Sequence, residues 1–302
     1  MPYAVDRFSV LYGVVIVTGW SSDQEGGALT ILHDGSPIAT TTVSEPRPDL
    51  EGHFGESARQ WGFRAYAVLQ NLNAPVTKLG VRFPSGLTIG SLSLCAPRAD
   101  DNSHELFQKF VEEVNSTGGR VLEVGSRARS GVSRRELFGE SVEYTGTDLI
   151  SGPNVDVVSD AHHLSVSIQE KFNYIFSMST FEHFLMPWKV VLELNKLLDV
   201  GGKVFSHSHQ TWPSHEEPWD YFRFSRESWG GLYNSHTGFR ICDARRGEAV
   251  VITSAFNPGG PFEKMDRSPG YGMSVCIAEK IGEPVVQWEA PMSDIQVMKY
   301  SH

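Results

Sequence analysis

The sequence has few cysteines, a deficit of positive charge and no long apolar run. Its 302 residues include three cysteines, Cys95, Cys242 and Cys276, an odd number at spacings that fit neither a disulfide framework nor a CxxC metal site. We interpret them as reduced thiols in the core. Lysine and arginine number 26 against 36 acidic residues, a net charge of −10. Binding to a nucleic-acid backbone requires clustered cations, so nucleic acid is not an expected partner.

The N-terminal region predicts neither a leader nor a membrane span. Its densest apolar stretch, Val14 to Val17, is far too short to cross a bilayer, and no basic segment leads into a long apolar run. We therefore expect a cytoplasmic protein. With 40% hydrophobic and 21% charged residues, the chain is too apolar for general disorder and long enough for two cores.

Residues 1–97 are predicted to form a small all-β sandwich domain. Turn signals such as Asp34-Gly35, and the two prolines of the segment Glu45 to Asp49, separate short β-branched or aromatic runs. The predicted strands are Val10 to Val17, Ala28 to Leu32, Phe63 to Leu69, Leu79 to Phe83 and Leu87 to Leu94.

Residues 103–280 change to an alternation of helices and strands. A first helix is predicted from the N-cap Ser103 to Gly118-Gly119, a polar helix up to Phe138, and an amphipathic helix closed by Gly201-Gly202. The predicted strands are Arg120 to Val124, Glu143 to Thr147, Val155 to Val158, Phe172 to Phe176, Lys203 to Ser206, and two later ones near Phe239 to Ile252 and Met273 to Glu279. This pattern predicts a Rossmann-like α/β sheet with helices on both faces and ligands at the carboxyl ends of the strands. Residues 281–302 are predicted to be a C-terminal tail.

A glycine and two acids follow the first three strands of this predicted sheet. Gly125 lies at the first strand-to-helix turn, where the missing Cβ lets a ligand approach the backbone. Asp148 comes 23 residues later, after the next strand, where an acid can accept hydrogen bonds from two ribose hydroxyls. Asp160 follows the third strand and would face an adenine edge. The alternatives are a turn or cap role for Asp148 and a helix-capping role for Asp160.

Five motifs occur in a fixed order within residues 103–280. They are Val121 to Gly131, Asp148, Asp156 to His162, Ser179 to Phe184 with Pro187-Trp188, and Leu197 to Val204. This ordered set resembles a class I S-adenosylmethionine-dependent methyltransferase of the type 11 group. The family's commoner loop is acid-x-Gly-x-Gly-x-Gly, whereas here Arg127 and Arg129 replace the second and third glycines.

The resemblance implies S-adenosyl-L-methionine as cofactor, with the glycine-containing loop beside its methionine moiety, Asp148 at its ribose and Asp160 by its adenine. The cofactor-binding residues that it implies are Glu123, Gly125, Ser126, Arg127, Asp148, Asp160, Ala161 and Met178. Arg127 either pairs with the α-carboxylate of the cofactor through its planar fork or faces solvent.

The acceptor side is predicted in the segment that follows the strand Lys203 to Ser206. This segment combines histidines, acids, an arginine and aromatic residues just past the carboxyl end of a strand, where a loop can close over an acceptor. Removing a proton from a hydroxyl acceptor suits histidine. The catalytic candidates are His215, Asp220, His207 and His183. The acceptor-binding candidates are His209, Trp212, Tyr221 and Arg223.

Structural roles are the alternative for several of these histidines. His207 and His209 alternate along a strand end and could be half-buried structural residues, and His183 could border the cofactor. The spacing of His207, His209, His215 and Glu216 matches no HExxH or comparable zinc pattern, so no resident metal is expected. Some sugar methyltransferases that this sequence resembles depend on a divalent metal, so metal dependence stays an open alternative.

Three short motifs of the N-terminal region weakly resemble β modules found beside enzymes of bacterial polysaccharide biosynthesis. They are Gly19-Trp20, Arg47-Pro48-Asp49 and Gly62-Phe63-Arg64. The aromatic residues Trp20, Trp61 and Phe63 could stack on sugar faces or belong to the core of the sandwich.

The sequence therefore predicts an S-adenosylmethionine-dependent O-methyltransferase that acts on a sugar, a glycan or another hydroxylated small molecule. A homo-oligomer or a partner in polysaccharide assembly is possible. Two alternatives stay open. One is a non-catalytic binding or assembly module with a methyltransferase-like domain. The other is an NAD(P)-dependent oxidoreductase, against which the absence of GxGxxG in the Gly125 to Gly131 loop argues.

Overall fold

The computed structural model describes residues 2–11, 13–23, 26–71, 75–91, 102–129, 131–250, 252 and 270–295. The chain divides into two compact units, residues 1–97 with 249–270, and residues 98–248 with 271–302. Nearly all of the segment between the two predicted domains, residues 98–102, falls outside the described residues. Among the described residues, no helix combines the length and apolar character needed to cross a membrane.

The first unit contains two antiparallel sheets that share one apolar core. One sheet has the order β1-β2-β5 and the other the order β4-β3-β6-β7. The strands are β1 (Tyr3–Leu11), β2 (Val14–Ser21), β3 (Ala28–His33), β4 (Ser36–Thr42), β5 (Gly62–Val68), β6 (Leu79–Arg82) and β7 (Thr88–Gly90), with the short helix α1 (Glu51–Phe54) before β5. Buried side chains of both sheets, such as Val17, Ile31 and Phe63, belong to one cluster. The predicted β-sandwich is confirmed.

The strands of this unit differ from the predictions at three places. Val10 to Val17 is not one strand, because the chain reverses at Gly13 and pairs Leu11 with Val14. β4 was not predicted, since it is mostly exposed and carries Pro37 at its start. The predicted strand Leu87 to Leu94 is described only up to residue 91, and within that part it is the short β7.

The three N-terminal motifs are joined by close packing of their glycines. A Cβ on Gly19 would lie 2.7 Å from the ring of Phe63, and a Cβ on Gly62 would lie 2.9 Å from the side chain of Arg47. Phe63 is a core residue, whereas Trp20 and Trp61 are half-buried and stack at 6.3 Å between ring centroids. These motifs therefore have a packing role inside the sandwich.

The second unit is built on a seven-stranded mixed sheet with the order β10-β9-β8-β11-β12-β14-β13. Its strands are β8 (Gly119–Val124), β9 (Val142–Asp148), β10 (Val157–Val158), β11 (Phe172–Met178), β12 (Leu198–His209), β13 (Phe239–Val250) and β14 (Gly270–Lys280). Its helices are α2 (Ser103–Thr117), α3 (Leu164–Ser167), α4 (Pro187–Leu197), α5 (Ser228–Leu232) and α6 (Met292–Ile295). The first five strands are parallel, and β14 runs antiparallel to β12. The predicted Rossmann-like α/β sheet is confirmed.

Alternation along the strands supplies a separate core to each face of this sheet. Leu122 and Ile175 point to the face covered by α4, where Val190 and Leu194 are fully buried. The opposite face carries a second cluster around Phe110 of α2. Among the parallel strands, β8 and β11 are buried along most of their length, and most of their buried residues are apolar.

Several helix boundaries differ from the predictions. The polar helix predicted up to Phe138 is wrong: residues 125–129 and 131–141 contain only the 3-10 turn Arg135–Leu137. The amphipathic helix ends at Leu197 rather than at Gly201-Gly202, which lies inside β12. The cap of α2 is Asn102, whose side chain accepts a hydrogen bond from the Glu105 amide.

The cysteines and the C-terminal segment also differ in part from the predictions. Cys276 is buried as expected, but Cys242 is exposed on β13, and Cys95 lies outside the described residues. Residues 281–295 belong to the second unit and pack against α4, where Lys189 donates a hydrogen bond to the Ala290 carbonyl and Trp188 packs against Trp288.

Candidate functional site

The strand order reverses between β8 and β11, the point at which α/β sheets bind ligands beyond the carboxyl ends of their strands. Gly125 follows β8 with φ 83°, and a Cβ there would lie 2.2 Å from the Thr180 hydroxyl oxygen in the loop after β11. The close contact between the two loops at the switch point therefore requires a glycine here, whether or not a ligand also approaches its backbone.

Glu123 is an internal anchor for this region. Its carboxylate, at the end of β8, is 1% exposed and accepts hydrogen bonds from Tyr144 and Asn154, and it pairs with Arg134 at 3.2 Å. Burial raises the pKa of Glu123, and these hydrogen bonds and the charge of Arg134 oppose the rise. Glu123 thus connects the loop after β8 to neighbouring segments and offers little surface to a ligand.

Asp148 and Arg127 meet at the end of β9. One Asp148 oxygen accepts a hydrogen bond from the Arg127 amide at 3.3 Å and the other from the Ile150 amide at 3.1 Å. The stem of Arg127 packs against Gly152, and its Nε is buried without a hydrogen-bond partner among the described residues. The Ser126 hydroxyl donates to the Asn154 carbonyl, so Ser126 holds the loop in place.

Asp160 caps the turn that follows β10. One of its oxygens accepts hydrogen bonds from the backbone and from Nδ1 of His162, whose Nε2 in turn accepts from the Met186 amide. Burial alone raises the pKa of Asp160, but the hydrogen bonds from His162 outweigh it and hold the pKa below its ordinary value. Ala161 is buried in the same turn. The capping alternative for Asp160 is confirmed, and its second oxygen is not engaged by this cap.

The loop after β11 brings Met178 and Ser179 beside His207 of β12. Ser179 has φ 51°, donates its amide to the His207 carbonyl and places its hydroxyl 3.3 Å from His207 Nδ1. Burial lowers the pKa of His207 to about 4. His207 is therefore neutral at physiological pH, and it is a weak proton acceptor compared with an ordinary histidine.

His183 has a fixed tautomer. Its Nδ1 donates a hydrogen bond of 2.8 Å to the Trp219 carbonyl, which can only accept, so Nε2 carries the lone pair. The ring is half-buried and lies 5.0 Å from the His215 ring between centroids. A neutral imidazole held in this way can accept a proton at Nε2.

The loop that contains His215 is held by an ion pair. Both Asp220 oxygens accept hydrogen bonds from the Arg223 guanidinium at 2.6 Å, and one also accepts from the His215 amide at 3.0 Å. The Arg223 hydrogen bonds hold the pKa of Asp220 well below its ordinary value. Arg223 further donates to the Trp212 and Pro213 carbonyls. These contacts give Asp220 and Arg223 a loop-positioning role.

Glu182 is the functional candidate that sequence reasoning did not select. It is fully buried, its Oε1 lies 2.6 Å from His209 Nδ1 and 4.0 Å from His215 Nε2, and its Oε2 accepts from the Ser208 hydroxyl. The Glu182 carbonyl accepts from the Tyr221 amide, which ties the loop to this point. An acid directly before a histidine at the end of a buried strand was the available signal.

The predicted residues thus form two groups at one edge of the sheet. The first follows β8, β9 and β11 and contains Gly125, Arg127, Asp148 and Met178. The second surrounds Glu182 and contains His183, His209, His215 and Asp220, with Trp212 stacked on His209 at 4.8 Å and 46% exposed. A surface depression of about 430 Å³ lies instead where strands begin, at Gly119, Asn173 and Asp199, away from the carboxyl ends.

No protein-family profile matches this sequence, and no curated protein matches it. Solved structures of similar fold include an S-adenosylmethionine-dependent methyltransferase from Archaeoglobus fulgidus, at 15% identity and a TM-score of 0.41, covering 59% of this chain and 100% of that one. A second is 1,6-didemethyltoxoflavin-N1-methyltransferase from Burkholderia thailandensis, solved with its substrate and S-adenosylhomocysteine, at 14% identity and a TM-score of 0.41, covering 60% and 80%. A third is TehB from Haemophilus influenzae, at 12% identity and a TM-score of 0.40, covering 93% and 96%. At these identities the similarity is one of fold alone.

Proposed function

We propose that this protein is an S-adenosylmethionine-dependent methyltransferase that methylates a hydroxyl group of a sugar, a glycan or another small molecule. The observation that carries the proposal is the hydrogen bond from the Arg127 backbone amide to the Asp148 carboxylate, which brings the two residues together beside the switch point. Asp148 offers carboxylate oxygens for two ribose hydroxyls, and the buried Arg127 Nε offers an unpaired donor for a carboxylate. Ribose and an α-carboxylate are both parts of this cofactor.

A nicotinamide dinucleotide is a poorer fit to the same edge. The dinucleotide-binding sheet has six strands in the order 3-2-1-4-5-6, whereas here the antiparallel β14 separates β12 from β13. The segment after Gly125 forms no α-helix among its described residues, so the helix N-terminus that would hold a pyrophosphate is missing there. Both features argue against a nicotinamide dinucleotide at this edge.

The residues around His183 and Trp212 are suited to an acceptor that carries a hydroxyl group. The cofactor, when bound, supplies a methyl group on a sulfonium. His183 Nε2 would take the proton that the acceptor hydroxyl loses as its oxygen bonds to that methyl and the methyl–sulfur bond breaks, with the electron pair left on sulfur. The exposed face of Trp212 is suited to stacking on a sugar ring. Asp220 and Arg223 hold the loop that carries His215 against this region.

The N-terminal unit supports a glycan or an assembly partner less directly. Trp20 and Trp61 form a half-buried cluster with Phe54, whose ring is 5.2 Å from Trp20 and 43% exposed. Such a cluster is suited to contact with the apolar face of a sugar.

Binding and turnover measurements on the full chain test the proposal. Isothermal titration should give saturable binding of S-adenosylhomocysteine and none of NADH, and methyl-labelled S-adenosylmethionine should transfer its label to a hydroxylated acceptor from fractionated sugar and glycan extracts. Absence of S-adenosylhomocysteine binding would overturn the proposal. Binding without transfer to any fraction would favour the non-catalytic module instead.

We expect Asp148→Ala to weaken S-adenosylhomocysteine binding by more than tenfold, about 1.4 kcal/mol or more, because the ribose hydroxyls lose their acceptor. The matched control is Asp199→Ala, an exposed acid at the opposite end of the strands, which should leave the affinity unchanged. An unchanged affinity in a folded Asp148→Ala protein would remove Asp148 from the cofactor site.

A further inference from the structure

Three side chains from separate segments converge on one buried point in the second unit. Glu182 follows β11, His209 ends β12, and His215 lies in the loop beyond. One ligand-type atom from each lies within 4.8 Å of the others. Two of the three side chains are more than nine-tenths buried, with side-chain exposures of 0% for Glu182 and 8% for His209.

The buried atoms at the centre of this cluster lack hydrogen-bond partners. Glu182 Oε1 and His209 Nδ1 are 2.6 Å apart, yet neither makes a hydrogen bond of acceptable geometry among the described residues. Burying a charged oxygen and a ring nitrogen without satisfying them is costly. A cation between them would satisfy both.

The outer atoms of the same side chains are already held. Glu182 Oε2 accepts from the Ser208 hydroxyl at 2.6 Å, and His215 Nδ1 lies 3.3 Å from both Asp220 Oδ2 and the Pro213 carbonyl. A hydrogen on His215 Nδ1 leaves the lone pair on Nε2, the atom that faces Glu182. A histidine oriented by a carboxylate in this way is the usual arrangement around a protein-bound metal.

We propose that Glu182, His209 and His215 bind a divalent transition metal of the zinc class through one oxygen and two imidazole nitrogens. Two histidines and one glutamate are a ligand set of catalytic zinc sites, which keep a fourth position open. Bonds of about 2.0 to 2.2 Å place tetrahedral ligand atoms about 3.3 to 3.6 Å apart. The distances of 2.6 and 4.0 Å bracket this separation, so shifts of less than about 1 Å complete the site.

The open position lies on the side of the half-exposed His215, next to His183 and Trp212. It suits a water molecule or an acceptor hydroxyl, whose proton a bound metal makes easier to remove. This last role depends on the proposed methyltransferase function, whereas metal binding itself does not.

Metal titration of the tag-free full chain tests the site. After treatment with a chelator, isothermal titration with Zn²⁺ and absorption spectroscopy with Co²⁺ should each report one site, with a Kd on the order of micromolar or below. Glu182→Gln, His209→Ala and His215→Ala should each weaken Zn²⁺ binding at least tenfold. Circular dichroism establishes that each variant is folded, and His215→Ala, on a surface loop, keeps the test valid if a buried variant does not fold.

The matched control is His104→Ala. His104 forms a comparable pair with Glu248, at 2.9 Å, but on the exposed surface, so its loss should leave the high-affinity site unchanged. No saturable binding of either metal up to about 1 mM, or undiminished binding in the folded variants, would overturn the proposal. S-Adenosylhomocysteine binding, measured separately, distinguishes failure of the metal site from failure of the proposed function.

Discussion

His183→Ala should lower kcat by about a hundredfold or more, while the affinity for S-adenosylhomocysteine changes by no more than a few fold. The reason is that Nε2 of His183 carries the lone pair of the ring, because Nδ1 donates its hydrogen to the Trp219 carbonyl. Loss of a positioned general base lowers kcat by about this factor and does not change the affinity for the cofactor. The measurement is steady-state methyl transfer to the acceptor found by the extract screen, with cofactor binding by titration.

Two variants separate a base from a structural histidine. His183→Asn keeps an N–H that can donate to Trp219 but has no basic nitrogen, so it should be as inactive as His183→Ala. His236→Ala, at an exposed histidine in the turn Ser235–Thr237, should retain activity. Recovery of turnover in His183→Asn would assign His183 a structural role and move the base to the His215 side of the pocket.

Gly125→Ala should destabilise the protein by about 2 to 5 kcal/mol and weaken cofactor binding with it. The substituted residue would have to adopt φ 83°, which costs about 1 to 2 kcal/mol for a residue with a Cβ. Its Cβ would also lie 2.2 Å from the Thr180 hydroxyl oxygen, and relief of such overpacking costs about 1 to 3 kcal/mol more. The measurement is urea unfolding followed by circular dichroism. The dependence of the unfolding free energy on urea concentration should be unchanged, so that the shift in midpoint reports stability alone.

The two costs of this substitution can be measured apart. Gly201→Ala imposes nearly the same backbone angle, φ 86°, at a position where nothing lies within 4 Å of the added Cβ, and should cost only the backbone part. The double variant Gly125→Ala/Thr180→Gly should be more stable than additivity predicts, because the clash is removed. Strict additivity of the two single variants would mean that Thr180 does not contact the glycine as described.

The loop after β8 illustrates where local reasoning fails. Its polar composition predicted a helix, but Arg134 and Arg135 donate to Glu123 and Asp156 instead of facing solvent from a helix surface. The Glu123 carboxylate, buried in the sheet, needs such partners, and that need outweighs a weak helix propensity. Long-range pairing of this kind leaves no signature in a short window of sequence.

The acids at the ends of β9 and β10 illustrate the intermediate case. Their position at the end of a strand was readable, because short runs with β-branched or aromatic residues identify the strands and an acid follows each run. Whether each acid caps a turn or faces a ligand was not. Asp160 accepts a hydrogen bond from the buried His162. The other ring nitrogen of His162 accepts from the amide of Met186, which lies 24 residues later in the sequence.

By itself, the sequence determined the two-part organisation into β-sandwich and α/β sheet, the order along the chain of the seven strands of the second unit, and the gathering of Gly125, Asp148 and His183 at one edge. Apolar periodicity identifies strands, and parallel strands place all their carboxyl ends together. Only the tertiary structure decided which atoms are free at that edge. The Trp219 carbonyl determines the tautomer of His183, and Arg223 forms an ion pair with Asp220. Glu182 lies next to His209 and His215. These contacts depend on how segments distant in sequence pack together, which determines the hydrogen-bond partners of each group.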